Sequence, residues 1–167
     1  MSAYTIHLDY IELSEFENII TNNLKLNLSN EAMEAVSACR AYLDQKMQDS
    51  DKLIYGINTG FGSLCDTAIS TNDLEALQRN LVLSHACGTG EEVPHEVVKI
   101  MLLLKIKSLS FGHSGVQLQT VERLIEFYNN DVLPVVYTQG SLGASGDLAP
   151  LAHLCLPLIG QGEVYVD

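Results

Sequence analysis

The chain is 167 residues long and 47% hydrophobic, and its 9 Lys and Arg against 21 Asp and Glu give a formal net charge of −12 at pH 7. That length suffices for one domain with a sizeable core, and the acidic sign repels phosphate backbones and anionic lipid, which argues against nucleic acid and membrane surfaces as partners. No apolar run reaches the length of a membrane span, since the longest, Ile100 to Leu104, is flanked by Lys99 and Lys105; no basic-then-apolar leader opens the chain, so a cytoplasmic protein is expected.

In chain order, the alternating YTIHLDY at 4 to 10 predicts a short strand. Helical spacing predicts a helix from Ser29 to Met47, with Glu31 and Glu34 in its first turn and Ala35, Cys39, Tyr42 and Leu43 as its apolar stripe. A second helix is predicted from Asn72, whose side chain would cap it while Glu75 reaches back, through Leu74, Leu77 and Leu81 to His85. Pro94 suits the first turn of a third, which ends before Gly112. A fourth runs from Gly115 to Tyr128 with Val121, Leu124, Ile125 and Tyr128 facing inward, and VLPVVY after it is extended. No repeat or linker interrupts this pattern, so the fold class is mainly α with a few short strands.

Cys39, Cys65, Cys87 and Cys155 form no C-x-x-C pair and are expected to be free thiols, mostly buried. His95 and Glu96 begin a possible H-E-x-x-H, but Lys99 stands at the second histidine, so no metal site is expected.

The connections are richer in small residues than solubility requires. GSLGASGDLAP at 140 to 150 spaces its glycines as G-x-x-G-x-x-G, which fails the dinucleotide fingerprint; Asp147 after Gly146 fails the P-loop and also breaks the G-x-S-x-G of a hydrolase elbow. YGINTGFGSL at 55 to 64 is uncharged, HACGTG at 85 to 90 places His85 one i+4 step beyond Leu81, and SFGHSG at 110 to 115 is another loop of this kind. By themselves these stretches are compatible with geometric turns and a helix-end histidine.

Taken together, YGINTGFGSL, LQRNLVLSHACGTG and GSLGASGDLAPLAHL resemble the N-terminal part of the aromatic amino acid lyases, most closely their histidine-deaminating members, over essentially the whole chain. The resemblance implies the N-terminal, prosthetic-group-bearing domain of that fumarase/aspartase-like fold over residues 1 to 167. It implies that Ala144, Ser145 and Gly146 cyclise autocatalytically into a methylidene-imidazolone, for which the Gly146 nitrogen must reach the Ala144 carbonyl and small residues leave room. No external cofactor is then needed. The implied reaction is loss of ammonia from L-histidine to give trans-urocanate, with Tyr55 as catalytic base, Ser84 and His85 reading the substrate ring, and Gly62 also binding substrate. A phenol has an ordinary pKa of about 10, so Tyr55 would act at neutral pH only with its anion stabilised by neighbouring donors.

Phe111 stands where many histidine-using members carry arginine, and His113 where an aromatic is common. A tyrosine or phenylalanine lyase or aminomutase using the same triplet is therefore the alternative, and a catalytically silent helical fragment another. Family members are far longer homotetramers whose central helices and further catalytic residues follow this region, so the chain is expected to be a fragment that is inactive alone.

Overall fold

The computed structural model describes residues 3–49, 53–60, 65–142 and 148–166. In chain order these form β1 (Ala3–Ile6), α1 (Leu13–Thr21), β2 (Lys25–Leu28), α2 (Asn30–Asp49), α3 (Leu74–His85), β3 (Thr89–Glu92), α4 (His95–Ser110), α5 (Leu118–Asn129), β4 (Val132–Pro134), β5 (Tyr137–Gln139), α6 (Leu148–Cys155) and β6 (Val164–Val166), with 3-10 turns at Thr71–Asp73 and Leu156–Ile159. The chain divides into two compact units. One comprises Met1–Gln48, Pro94–Leu133 and Val164–Asp167; the other comprises Asp49–Val93 and Pro134–Glu163.

In the first unit β1 and β2 run parallel, in register from Ala3 against Lys25 to Ile6 against Leu28. A parallel pair needs a crossover, and α1 supplies it, opened by a reciprocal capping box between Glu12 and Glu15. The far edge of β2 is occupied by a side chain: Asn129 accepts the Leu26 N–H at 2.7 Å and donates to the Leu26 carbonyl at 2.9 Å. On α5 the predicted inward face is the buried one, with Val121, Leu124, Ile125 and Tyr128 all enclosed. These residues join Ile6, Ile19 and Leu26, and Val98, Leu102, Leu103 and Ile106 from α4, in an apolar core. Each such aliphatic side chain contributes about 1.5–3 kcal/mol on burial.

Ser29 caps α2 as its Oγ accepts the Ala32 N–H at 3.2 Å. The buried stripe of α2 differs from the predicted one. Ala32 and Val36 are enclosed, whereas Tyr42 is 63% exposed. A step of one residue rotates a side chain by about 100°, so the tyrosine beside half-buried Leu43 leaves the packed face. It takes the Lys46 ammonium over its ring instead. The turn from α4 to α5 is pressed on α2: at Gly112, φ is +68° and a Cβ would lie 2.5 Å from the Ala35 carbonyl, so only glycine fits.

In the second unit β3 pairs antiparallel with β5, Thr89 opposite Gln139 and Glu92 opposite Tyr137. The start of α3 corrects the predicted cap. Asn72 lies inside a 3-10 turn entered from Ser70, whose Oγ donates to Asp73 Oδ2 at 2.7 Å while the Asp73 N–H bonds the Ser70 carbonyl. The predicted apolar stripe of α3 is only half-buried: Leu74, Leu77, Leu81 and His85 all keep some exposure. The cysteines are free but not mostly buried, with Cys39, Cys65 and Cys155 half-buried and Cys87 exposed.

Candidate functional site

Tyr55 sits on a tight turn whose backbone is tied down on every side. The Ile57 and Asn58 N–H groups both bond the Ile54 carbonyl, at 3.0 and 3.2 Å. The Asn58 side chain returns the bond by accepting the Ile54 N–H at 2.7 Å. Gly56 takes φ +70°, a conformation that suits glycine, and its N–H bonds Thr59 Oγ1 at 3.2 Å. Thr59 is fully buried and donates to the Gly60 carbonyl at 3.0 Å. From α3, the Gln78 amide reaches over to the carbonyls of Gly56 at 2.9 Å and Ile57 at 3.1 Å. The turn is therefore fixed on both sides of Tyr55, and the ring is left 60% exposed. An accessible phenol on a rigid backbone can serve proton transfer to a docked ligand.

Helix α3 also carries the second candidate. His85 lies seven residues after Gln78, two helical turns or about 10 Å along the same face. Its Nδ1 is 2.7 Å from the Leu81 carbonyl, and Ser84 Oγ lies 3.0 Å from that carbonyl and 3.2 Å from Nδ1. Both side chains therefore gather on one carbonyl in the last turn of α3, a group that the helix itself already uses. A carbonyl only accepts, which puts the proton of the neutral imidazole on Nδ1 and makes Nε2 the accepting nitrogen.

A third residue, absent from the sequence reading, completes this unit. His153 of α6 is 8% exposed and accepts the Gly88 N–H at Nε2 over 2.9 Å. The Tyr137 ring meets it edge-on at 5.2 Å, and burial holds its pKa below the usual imidazole value. Around it the backbones close up. A Cβ at Gly88 would lie 3.0 Å from the His153 ring; one at Gly140, where φ is +127°, would lie 2.9 Å from Gly88 Cα and 3.1 Å from Ala149 Cβ. Gly140 therefore lies against both Gly88 and Ala149, a described residue near the other end of the small-residue stretch. The signal available in the sequence was a lone histidine in the apolar run LAPLAHLC together with a glycine in HACGTG.

Tyr55, Ser84, His85, Gly88 and His153 all belong to the second unit. Ala144, Ser145, Gly146 and Gly62 lie outside the described residues. Phe111 and His113 belong to the first unit, where their rings stack 6.4 Å apart and Lys107 Nζ sits 4.2 Å over the Phe111 ring. Among the described residues no group of His, Cys, Asp or Glu is arranged to hold a metal ion, and no helix is long and apolar enough to cross a membrane.

The aromatic amino acid lyase family model matches residues 11–167. A histidine ammonia-lyase of Legionella pneumophila (strain Corby) is 49% identical over 154 residues, which is 92% of this chain and 30% of that protein. Among solved structures, histidine ammonia-lyase from Trypanosoma cruzi superposes with a TM-score of 0.84 at 34% identity, covering 97% of this chain and 31% of that one. The ergothioneine-degrading enzyme Ergothionase from Treponema denticola gives a TM-score of 0.93 at 27% identity, covering 99% and 33%. The chain thus spans about a third of the length of the proteins it matches.

Proposed function

We propose, from the premise that this chain belongs to the aromatic amino acid lyase family, that it is the N-terminal part of a histidine ammonia-lyase, which eliminates ammonia from L-histidine to give trans-urocanate. The observation that carries the choice of substrate is the 49% identity to a histidine ammonia-lyase over 154 residues. The place of His85 agrees with it: an imidazole whose Nδ1 lies against the Leu81 carbonyl has in Nε2 an acceptor that suits the N–H of a substrate imidazole, and a site that hydrogen-bonds a substrate ring discriminates strongly against one that lacks the group.

Gly140 lies against Gly88 and Ala149, which brings together residues before and after the triplet and supports a prosthetic group made from the chain itself. A methylidene-imidazolone built from Ala144, Ser145 and Gly146 would supply the electrophile that engages the substrate amine. The proton on the substrate Cβ is only weakly acidic, so a base is also required. Tyr55 takes that role, with its hydroxyl presented from a turn that Gln78 and Asn58 keep from yielding. Ser84 and His85 orient the ring, and Gly62 contributes to substrate binding. On the same reading the complete enzyme is a cytoplasmic homotetramer that needs no external cofactor.

A tyrosine-using lyase or aminomutase is the second reading, because an acceptor Nε2 also receives a phenolic O–H. Incubating the complete protein with L-histidine, L-tyrosine and L-phenylalanine in turn separates them. Urocanate as the dominant product is expected; coumarate or a β-amino acid in its place would overturn the choice of substrate.

A further inference from the structure

We propose that His153 is a positioning residue of the reaction, whose Nε2 holds the Gly88 N–H and thereby fixes the turn that follows His85 against the helix that follows the Ala144-Ser145-Gly146 triplet. The inference rests on the histidine ammonia-lyase reading.

An enclosed imidazole on a helix whose Ala149, Ala152 and Leu154 are buried as well is a costly way to fill space that a leucine would fill without desolvating a polar group. Buried polar atoms are retained with a partner, and the partner here is no neighbour in sequence: the bond spans 65 residues to the backbone of Gly88. Between His85 and Gly88 the chain turns sharply, with the Ala86 N–H on the Val82 carbonyl at 3.1 Å and the Cys87 N–H on the His85 carbonyl at 2.9 Å. Those bonds tie the turn to its own helix and to nothing beyond it. The Gly88 N–H is the group that ties it to α6, and β3 then continues from Thr89 into its pairing with β5.

The sterics agree with the bond. His153 lies so close that residue 88 can carry no Cβ without a contact of 3.0 Å, and a Cβ at Gly140 would lie 2.9 Å from Gly88 Cα. The ring that reads the substrate is thus carried by a helix end whose following turn is held at Gly88 by His153 and Gly140. A displacement of about 1 Å in such an arrangement can cost about 10²-fold in rate. A slack turn would be felt first in substrate binding, because His85 holds the ring in the ground state and the transition state alike.

Two substitutions in the complete protein separate positioning from packing. In His153→Gln the side-chain oxygen reaches the place of Nε2 and still accepts; in His153→Asn the amide stops short at the place of Nδ1. For L-histidine, Gln is expected to keep KM within about threefold, and Asn to raise KM about tenfold with a smaller change in kcat, the size expected for one lost hydrogen bond to a buried group. Hydrogen exchange of the peptide spanning residues 86 to 90 provides a readout independent of turnover: protection is retained in Gln and lost in Asn. An Asn variant with unchanged KM and unchanged protection, a Gln variant as impaired as Asn, or two variants that fail to fold would overturn the proposal. Absence of urocanate from the unsubstituted protein would instead overturn the choice of reaction, while the exchange difference would still report on the Gly88 contact.

Discussion

Replacing Tyr55 by Phe keeps an exposed ring on a turn held by other residues, so the loss falls on the chemistry. A kcat lower by about 10² or more is expected, with the melting temperature unchanged; an unchanged kcat would remove Tyr55 from the role of base. His85→Leu is expected to raise KM for L-histidine and to relax selectivity towards phenyl substrates, which competition between the amino acids measures. His153 brings a pH dependence whose sign follows from its surroundings. Burial lowers its folded pKa, so the unfolded chain, with an ordinary value of about 6.5, binds more protons. The stability of the neutral form is then fully present above about pH 6.5 and is lost as pH falls through the lowered folded value. The ring packed against it is that of Tyr137, edge-on at 5.2 Å. Denaturation midpoints of the complete protein and of His153→Gln are expected to diverge below pH 6.5, the unsubstituted protein losing more, and to run parallel above pH 7. The place of His85 at the end of α3 was legible in the sequence because it extends the stripe of Leu77 and Leu81 by one helical step; its role came only from the family resemblance. His153 was not, because what gives it meaning is a backbone N–H 65 residues away that no local spacing encodes.

Helix α3 links the two candidate residues, since Gln78 holds the Tyr55 turn and the C-terminal turn carries His85. Gln78 is itself exposed, so Gln78→Leu is expected to cost little stability, on the order of 1 kcal/mol, yet to lower kcat several-fold by loosening the turn. A kcat equal to the unsubstituted protein's would show that Asn58 and Thr59 hold the turn unaided. Gly140→Ala is expected to destabilise by ~2 kcal/mol or more in chemical denaturation, because the new Cβ meets Gly88 Cα at 2.9 Å on a backbone with φ +127°. Among the elements, α5 was readable because its four inward residues recur at helical spacing and all of them are buried. The strand β3 was not. Its sequence, TGEE, has no alternation and is exposed throughout, and it is a strand only because β5 lies beside it. The short helix α1 went unpredicted too; of its residues only Ile19 is enclosed, so its apolar pattern is thin.

At the scale of the molecule, two compact units share one chain that corresponds to about a third of its relatives' length. The first unit exposes Tyr10, Leu13, Leu104 and Val166, each more than half accessible. Expressed by itself, this chain is expected to self-associate in gel filtration and to form no urocanate; a monomeric, active chain would show that these residues suffice. For the complete protein the central claim is that Ala144, Ser145 and Gly146 make the electrophile that drives loss of ammonia from histidine. Intact mass tests it most directly, with Ser145→Ala as the control that has no hydroxyl to lose. The account predicts an unsubstituted protein lighter than its sequence by two waters, and a Ser145→Ala protein without that methylidene group and with most of its turnover abolished. A protein of full sequence mass that still converts L-histidine to urocanate would contradict it.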